Sequence, residues 1–214
     1  MADVRTDGRI ERGDRTRRLI LRRTVDIASV EGLEGLSLGR LATELGLSKS
    51  GVFALFGSKE DLQLATVRAA GRIFLDHVVV PVAELAPGTD RVWRLCTGWL
   101  AYSRDRVFRG GCFFAFVSAE YASREGRVRD AVAAARTEWH SFLERTLSEA
   151  RQAGELSRDA DVPQLAFEIA ALLEAANTAS VLDGDPSGYG KAASGILSRL
   201  RASATDAARL PSEA

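Results

Sequence analysis

The string Ser48-Lys49-Ser50-Gly51 places small side chains and one ammonium group where a helix begins. The free amides of a helix N-terminus favour anions, and small residues leave that backbone open to a phosphate or a base edge. Val52 and Phe56, four positions apart, supply an apolar face on the same short helix. This division of faces is what a helix lying in the major groove of DNA requires. It equally describes a capped helical hairpin that binds nothing. Upstream, Arg5, Arg9, Arg12, Arg15, Arg17, Arg18, Arg22 and Arg23 outnumber Asp3, Asp7, Glu11 and Asp14. Such a charge run reads either as a solvated tail or as an arm held to a polyanion.

Other chemistry is poorly represented. The 214 residues carry 29 basic and 29 acidic side chains, so net charge does not announce nucleic acid binding; only its distribution does. The histidines are His77 and His140 and the cysteines Cys96 and Cys112, short of the paired four-ligand spacing of a structural zinc site. No metal or other cofactor is expected. With no Gly-rich phosphate loop, nucleophile elbow or His-centred pair, no catalytic residue is expected either. Cys112, beside aromatics, keeps a redox-sensing alternative open together with Cys96; a thiol in apolar surroundings is usually inert. No apolar run approaches the roughly 20 residues that span a bilayer. The start, Met1-Ala2-Asp3-Val4-Arg5, lacks the apolar stretch of a signal peptide. A cytoplasmic protein that does not engage membranes is the expectation.

The elements that would position these residues are all helices, separated by Gly, Pro and Asp. A first helix is expected from Thr16 to Glu31, with Ile20, Thr24, Ile27 and Ala28 on one face and Gly32 ending it. Ser37 caps a short helix to Leu45, and Ser48 caps another over Lys49 to Phe56. Ser58-Lys59-Glu60-Asp61 is a capping-box pattern opening a longer helix to about Val78. Further helices are expected over 91–106, from the aromatic run Cys112-Phe113-Phe114-Ala115-Phe116 onward, and over 127–153. Asp161-Val162-Pro163-Gln164 starts another to Leu182, and a last runs over 187–204. The fold class is all-α.

Residues 16–68 resemble the DNA-binding domain of the TetR family of bacterial regulators. The resemblance rests on Ile20-Leu21, Gly32, Leu36-Ser37, Leu41-Ala42 and the unbroken string from Leu45 through Ser48-Lys49-Ser50 to Phe56-Gly57-Ser58-Lys59-Glu60-Asp61-Leu62. Gly110-Gly111-Cys112-Phe113-Phe114 is similar to the C-terminal domain of one subgroup. The resemblance implies about nine helices, divided into a basic arm (1–15), a DNA-binding domain (16–60, helix-turn-helix 37–56), a ligand-binding and dimerisation domain (61–205) and a tail (206–214). It implies a regulator of transcription, commonly a repressor, working as a homodimer on a double-stranded palindromic operator and released by a small molecule.

Carried over by position, Ser48, Lys49, Ser50, Gly51 and Phe53 would face DNA, with Thr16, Arg17, Ser37, Arg40 and Lys59 on the flanking backbone. Phe53 and Leu55 stand where the family commonly has Tyr and His, which removes one phosphate-reaching hydroxyl. Effector contacts are expected from Trp93, Cys96, Trp99, Cys112, Phe113, Phe116, Trp139 and Phe142, large or soft groups clustered beside small ones. Glu174 and Asn177, polar on an apolar helix, would need partners if buried, and a ligand could supply them. Ala171, Ala175, Ala179, Ala192, Ala193 and Ile196 suit close approach of helices at a dimer seam. The helix from Ser58 joins both domains and is the expected lever. A helical protein-interaction module is the competing class; the basic residues grouped around one short helix argue against it.

Overall fold

The helical starts follow from local hydrogen bonding. In the computed structural model, which describes residues 4–206 and 210–211 with side chains from Gly13 onward, four side-chain caps sit where the sequence places them. Ser37 Oγ accepts from Arg40 N at 3.4 Å, Ser48 Oγ from Gly51 N at 3.1 Å, and Asp161 Oδ1 from Gln164 N at 3.1 Å. Ser58 Oγ accepts from Asp61 N at 3.0 Å and donates to the Asp61 carboxylate at 2.7 Å. Each cap satisfies an amide that the helix itself cannot.

The resulting helices are α1 (Val4–Glu31), α2 (Leu38–Glu44), α3 (Lys49–Phe56), α4 (Lys59–Phe74), α5 (Thr89–Arg104), α6 (Phe113–Tyr121), α7 (Arg127–Gln152), α8 (Val162–Leu182) and α9 (Ser187–Ser203). Two boundaries differ from expectation. α1 begins at Val4 rather than Thr16, so residues 4–15 of the basic arm continue the helix. Asp14 and Arg18 stand at the four-residue spacing of helix-surface neighbours; residues 1–3 of the arm lie outside the described residues. α4 ends at Phe74 and passes through a π-type turn (Leu75–Val79) into a 3-10 turn (Val80–Val82). Pro81 lacks an amide hydrogen and crowds the carbonyl four residues earlier, so a regular α-helix cannot run through it.

α4 is the central strut. Leu62, Ala65, Thr66 and Ala70 are all but sealed from solvent, with α1 against one side of the helix and α7 against another. The buried Thr66 hydroxyl lies 2.9 Å from that of Thr24 on α1, and both reach carbonyls one turn back on their own helices. No polar group at this crossing is left unpaired, as a buried one must not be.

α8 corrects another expectation: with 21 residues and an 18-residue stretch of mean hydropathy 1.4, it is long and apolar enough to cross a membrane. Leu165, Ile169 and Leu173 are instead buried where α8 packs with α5, α7 and α9. Asn177, expected to need a partner, finds two within the chain's own network. Its Oδ1 accepts from Ser103 Oγ and from Cys112 N, both at 2.8 Å, and Ser103 in turn meets the Tyr189 hydroxyl at 2.9 Å. Arg106, in the left-handed region at φ 54°, is held there by bonds to the Tyr189 hydroxyl and the Ser180 carbonyl. This knot pins the loop between α5 and α6 onto α8 and α9. Asn177→Ala leaves the Cys112 amide and the Ser103 hydroxyl buried without their acceptor. A loss of about 2–3 kcal/mol is expected, seen in thermal unfolding as a melting temperature lower by roughly 5–10 °C.

Candidate nucleic-acid interface and inner cavity

α2 and α3 meet through a tight turn in which Leu47 N bonds Ala42 O at 2.8 Å. Leu41, Ala42, Val52 and Phe56 turn inward and are buried. Ser48, Lys49, Ser50 and Gly51 are all exposed, and Phe53 is 56% exposed beside them. The predicted outward face of α3 is therefore present, with its amide end open to solvent. Lys49 has no ion-pair partner among the described residues.

Three of the flanking cations have partners within the chain. Arg17 donates to the Leu55 carbonyl at 2.6 Å and lies 4.7 Å above the Phe56 ring, so it locks α3 onto α1. Arg40 is gripped by Glu31 and by Glu44, the latter at 2.7 Å, while Arg23 holds the other side of Glu44 at 2.8 Å. These bonds hold the Glu31 and Glu44 carboxyls below the usual range. Exposed pairs of this kind are worth little, so a phosphate can compete for Arg40. Lys59 donates to the Glu34 carbonyl at 2.7 Å and to its carboxylate at 3.0 Å, across the α1–α2 turn. Ser37 serves as the α2 cap, and Thr16 is half-buried on α1.

A cavity of about 130 Å³ lies between α4, α5, α6, α7 and α8. Of the residues expected at an effector site, it brings together Trp99, Cys112, Trp139, Phe142 and Glu174. Trp93, Cys96 and Phe113 are core residues that do not line it. Phe116 is 41% exposed on α6, immediately after the cavity-facing pair Phe114 and Ala115. Asn177 belongs to the α5–α8–α9 knot described above. Sequence reasoning missed Phe74 and the π-turn residues Leu75 and Val79, since a π turn leaves no periodic signature. It also missed Ala135, Arg136, Glu138 and Arg145, although with Trp139 and Phe142 they form one α7 stripe at three- and four-residue spacing. Glu174, the other polar residue singled out on α8, pairs with Arg136 at 2.7 Å.

Cys96 and Cys112 are both buried and unbridged. Burial pushes their thiols up, to about 12 and about 11 respectively. Both are protonated at neutral pH and are poor nucleophiles, which runs against the redox-sensing alternative.

α6 connects the two regions. Its first turn gives Phe114 and Ala115 to the cavity wall. At its other end the Glu120 carboxylate accepts from Leu33 N at 2.8 Å and Glu34 N at 3.0 Å, in the turn that leads from α1 into α2. Tyr121 donates to the Glu34 carboxylate at 2.9 Å, and Gln63 of α4 to the Leu33 carbonyl at 3.0 Å. Gly32 sits at φ 80°, and any Cβ there would strike the Glu120 carboxylate. Gly110, just before α6, likewise tolerates no side chain, because its Cα abuts the Ser29 carbonyl of α1.

Comparison with known proteins gives this arrangement a family. The family of bacterial regulatory proteins named tetR matches residues 20–66, and the tetracyclin repressor-like C-terminal domain matches residues 88–196. None of the curated proteins matches the chain. A TetR transcriptional regulator from Chloroflexus aurantiacus shares the fold with a TM-score of 0.83 at 21% identity, over 91% of this chain and 98% of that one. A putative transcriptional regulator from Saccharomonospora viridis, solved with choline, gives 0.75 at 21% identity over 90% and 99% of the two chains. AibR, solved with isovaleryl coenzyme A and operator DNA, gives 0.67 at 22% identity over 84% and 95%. With the C-terminal match alone spanning more than half of its length, the chain belongs to the TetR family of bacterial regulatory proteins.

Proposed function

We propose that this chain is a cytoplasmic repressor that binds a palindromic operator as a homodimer and leaves it when a small molecule fills the inner cavity. It acts by binding rather than by catalysis. Residues 16–60 form the DNA-binding part and residues 61–205 the sensing and dimerising part in this reading. The observation that carries it is the exposed N-terminus of α3, where Ser48, Lys49, Ser50 and Gly51 present amides, hydroxyls and one unpaired ammonium group. Phe53 adds apolar contact surface beside them, and Arg40 exchanges its carboxylate partners for a phosphate. Ligand-bound relatives of the same fold, one with choline and one with isovaleryl coenzyme A and operator DNA, support a sensing role for the cavity.

One short helix reads only a few base pairs, so specific binding calls for two copies on adjacent major grooves. The face available for pairing is the outer stripe of α8: Phe167 at 66% exposure, Ala171, Ala175, Thr178 and Leu182 at 79%. Their spacing of four, four, three and four residues keeps them on one line of the helix. The dimer residues expected on α9 fit less well. Ala192 and Ile196 are buried within the chain, because α8 and α9 pack closely through Ala179, Gly188 and Gly195. Ala193 is half-buried.

Two measurements test the reading. Fluorescence anisotropy on duplexes from the region upstream of the chain's own gene should show tight, salt-sensitive binding to one palindrome. Lys49→Ala should weaken it at least several-fold and lower the salt slope by about one per subunit, with unchanged circular dichroism. Equal binding by the variant, or no binding to any genomic fragment, would leave the helix-turn-helix as architecture alone. In sedimentation, the unmodified chain should run as a dimer and Ala171→Arg as a monomer, since an unpaired guanidinium at the centre of a buried stripe is strongly disfavoured. A dimer that survives the substitution would move the interface elsewhere.

A further inference from the structure

α6 begins at the cavity wall with its first donors unanswered. Cys112, Phe114 and Ala115 all line the cavity, and the first hydrogen bond of the helix runs from Phe116 N to Cys112 O at 3.3 Å. The amides of Phe113, Phe114 and Ala115 therefore precede the helix's own ladder. Cys112 holds the N-cap position, and its side chain makes no cap bond. The Phe114 and Ala115 amides lean on its sulfur, which is a weak acceptor. The Cys112 amide is itself tied to Asn177 Oδ1 at 2.8 Å, so the start of α6 is held fixed against α8.

A buried hydroxyl is aimed at the same point. Tyr102 is 3% exposed. Its ring packs edge-on against Phe74 at 5.5 Å and lies 6.4 Å from Trp99, and both of these line the cavity. The Tyr102 hydroxyl reaches the Cys112 thiol and the Phe113 amide, yet it has no hydrogen-bond partner among the described residues. A buried hydroxyl in this state costs stability that a partner would restore. The amides can only donate and the hydroxyl has a proton to give, so what this corner lacks is an oxygen that accepts. The field there is mixed. The start of a helix favours negative charge, while the Glu174 carboxylate opposes it at Cys112. A carbonyl and a carboxylate both supply the missing oxygen. We infer that the effector carries such an acceptor oxygen and docks it at the start of α6, among the Phe114 and Ala115 amides and the Tyr102 hydroxyl, with its apolar body against Phe74, Trp99 and Trp139. The inference rests on the reading of the cavity as the effector site.

The test is isothermal titration calorimetry of the full chain and of Tyr102→Phe with three probes on one ring: ethylbenzene, acetophenone and benzoate. Acetophenone has a carbonyl where ethylbenzene has a methylene, and benzoate carries a carboxylate on the same ring. The unmodified chain should bind at least one oxygenated probe about tenfold or more tighter than ethylbenzene. The tighter of the two identifies the acceptor as a carbonyl or a carboxylate. Tyr102→Phe should cut that preference about three- to tenfold. Without ligand, the variant should melt no lower than the unmodified chain, because the hydroxyl it loses is bonded to nothing. Ethylbenzene binding as tightly as both oxygenated probes, a preference that the variant leaves intact, or a clear drop in its melting temperature would overturn the acceptor inference alone. No binding of any probe would overturn it together with the effector role of the cavity.

Discussion

A carboxylate on a short helix holds the two halves of this molecule in register. Glu120 accepts two backbone amides from the turn that leads into α2, at 2.8 Å and 3.0 Å. The nine residues of α6 span about 13 Å, and their opposite end forms part of the cavity wall. In the proposed reading, an occupant that displaces Phe114 or Ala115 acts through this short helix on Leu33 and Glu34, and from them on the orientation of α2 and α3. α4, the lever expected from its position between the domains, shares this task through Gln63 and Lys59, which touch the same turn.

The electrostatics of the N-terminal part follow a similar economy. Glu34 receives Lys59, Tyr121 and Gln63 at once, and the Lys59 bond first of all holds its carboxyl below the usual range. The basic character that marks this region is thus partly consumed in holding the helix-turn-helix to its supports. What remains outward is concentrated on α3 and the exposed face of α1, where Arg18 and Arg22 stand. In the proposed reading this localises phosphate binding to the face that would read bases, since backbone contacts set register while base contacts set sequence.

Features dominated by neighbours in the chain were legible before any coordinates. Ser37, Ser48, Ser58 and Asp161 act as caps because a cap needs only three residues of context, and Val52 and Phe56 are buried because spacing alone sets their face. Features that depend on distant partners were not legible. Asn177 looks like an orphan on an apolar helix until Ser103 and Cys112 N arrive from elsewhere in the chain. Arg17, Arg40 and Lys59 look like free cations until Leu55, Glu31, Glu44 and Glu34 are in place. Of the aromatics, Trp99 and Trp139 reach the cavity and Trp93 and Phe113 do not, since the choice is made by helix packing rather than by residue type. The small residues of α8 and α9 carry the same ambiguity, resolved inward for Ala192 and outward for Ala171.

The most direct test of coupling through α6 is the operator affinity of the unmodified chain and of Glu120→Gln, each with and without the cavity-filling substitution Ala135→Phe. Gln keeps the shape of the side chain but replaces one of its two acceptor oxygens and removes the charge. The unmodified chain should lose operator affinity when the cavity is filled, by a factor of about 5–150, and the variant should lose most of that response. The same response in both proteins, or none in the unmodified chain, would contradict the role assigned to Glu120.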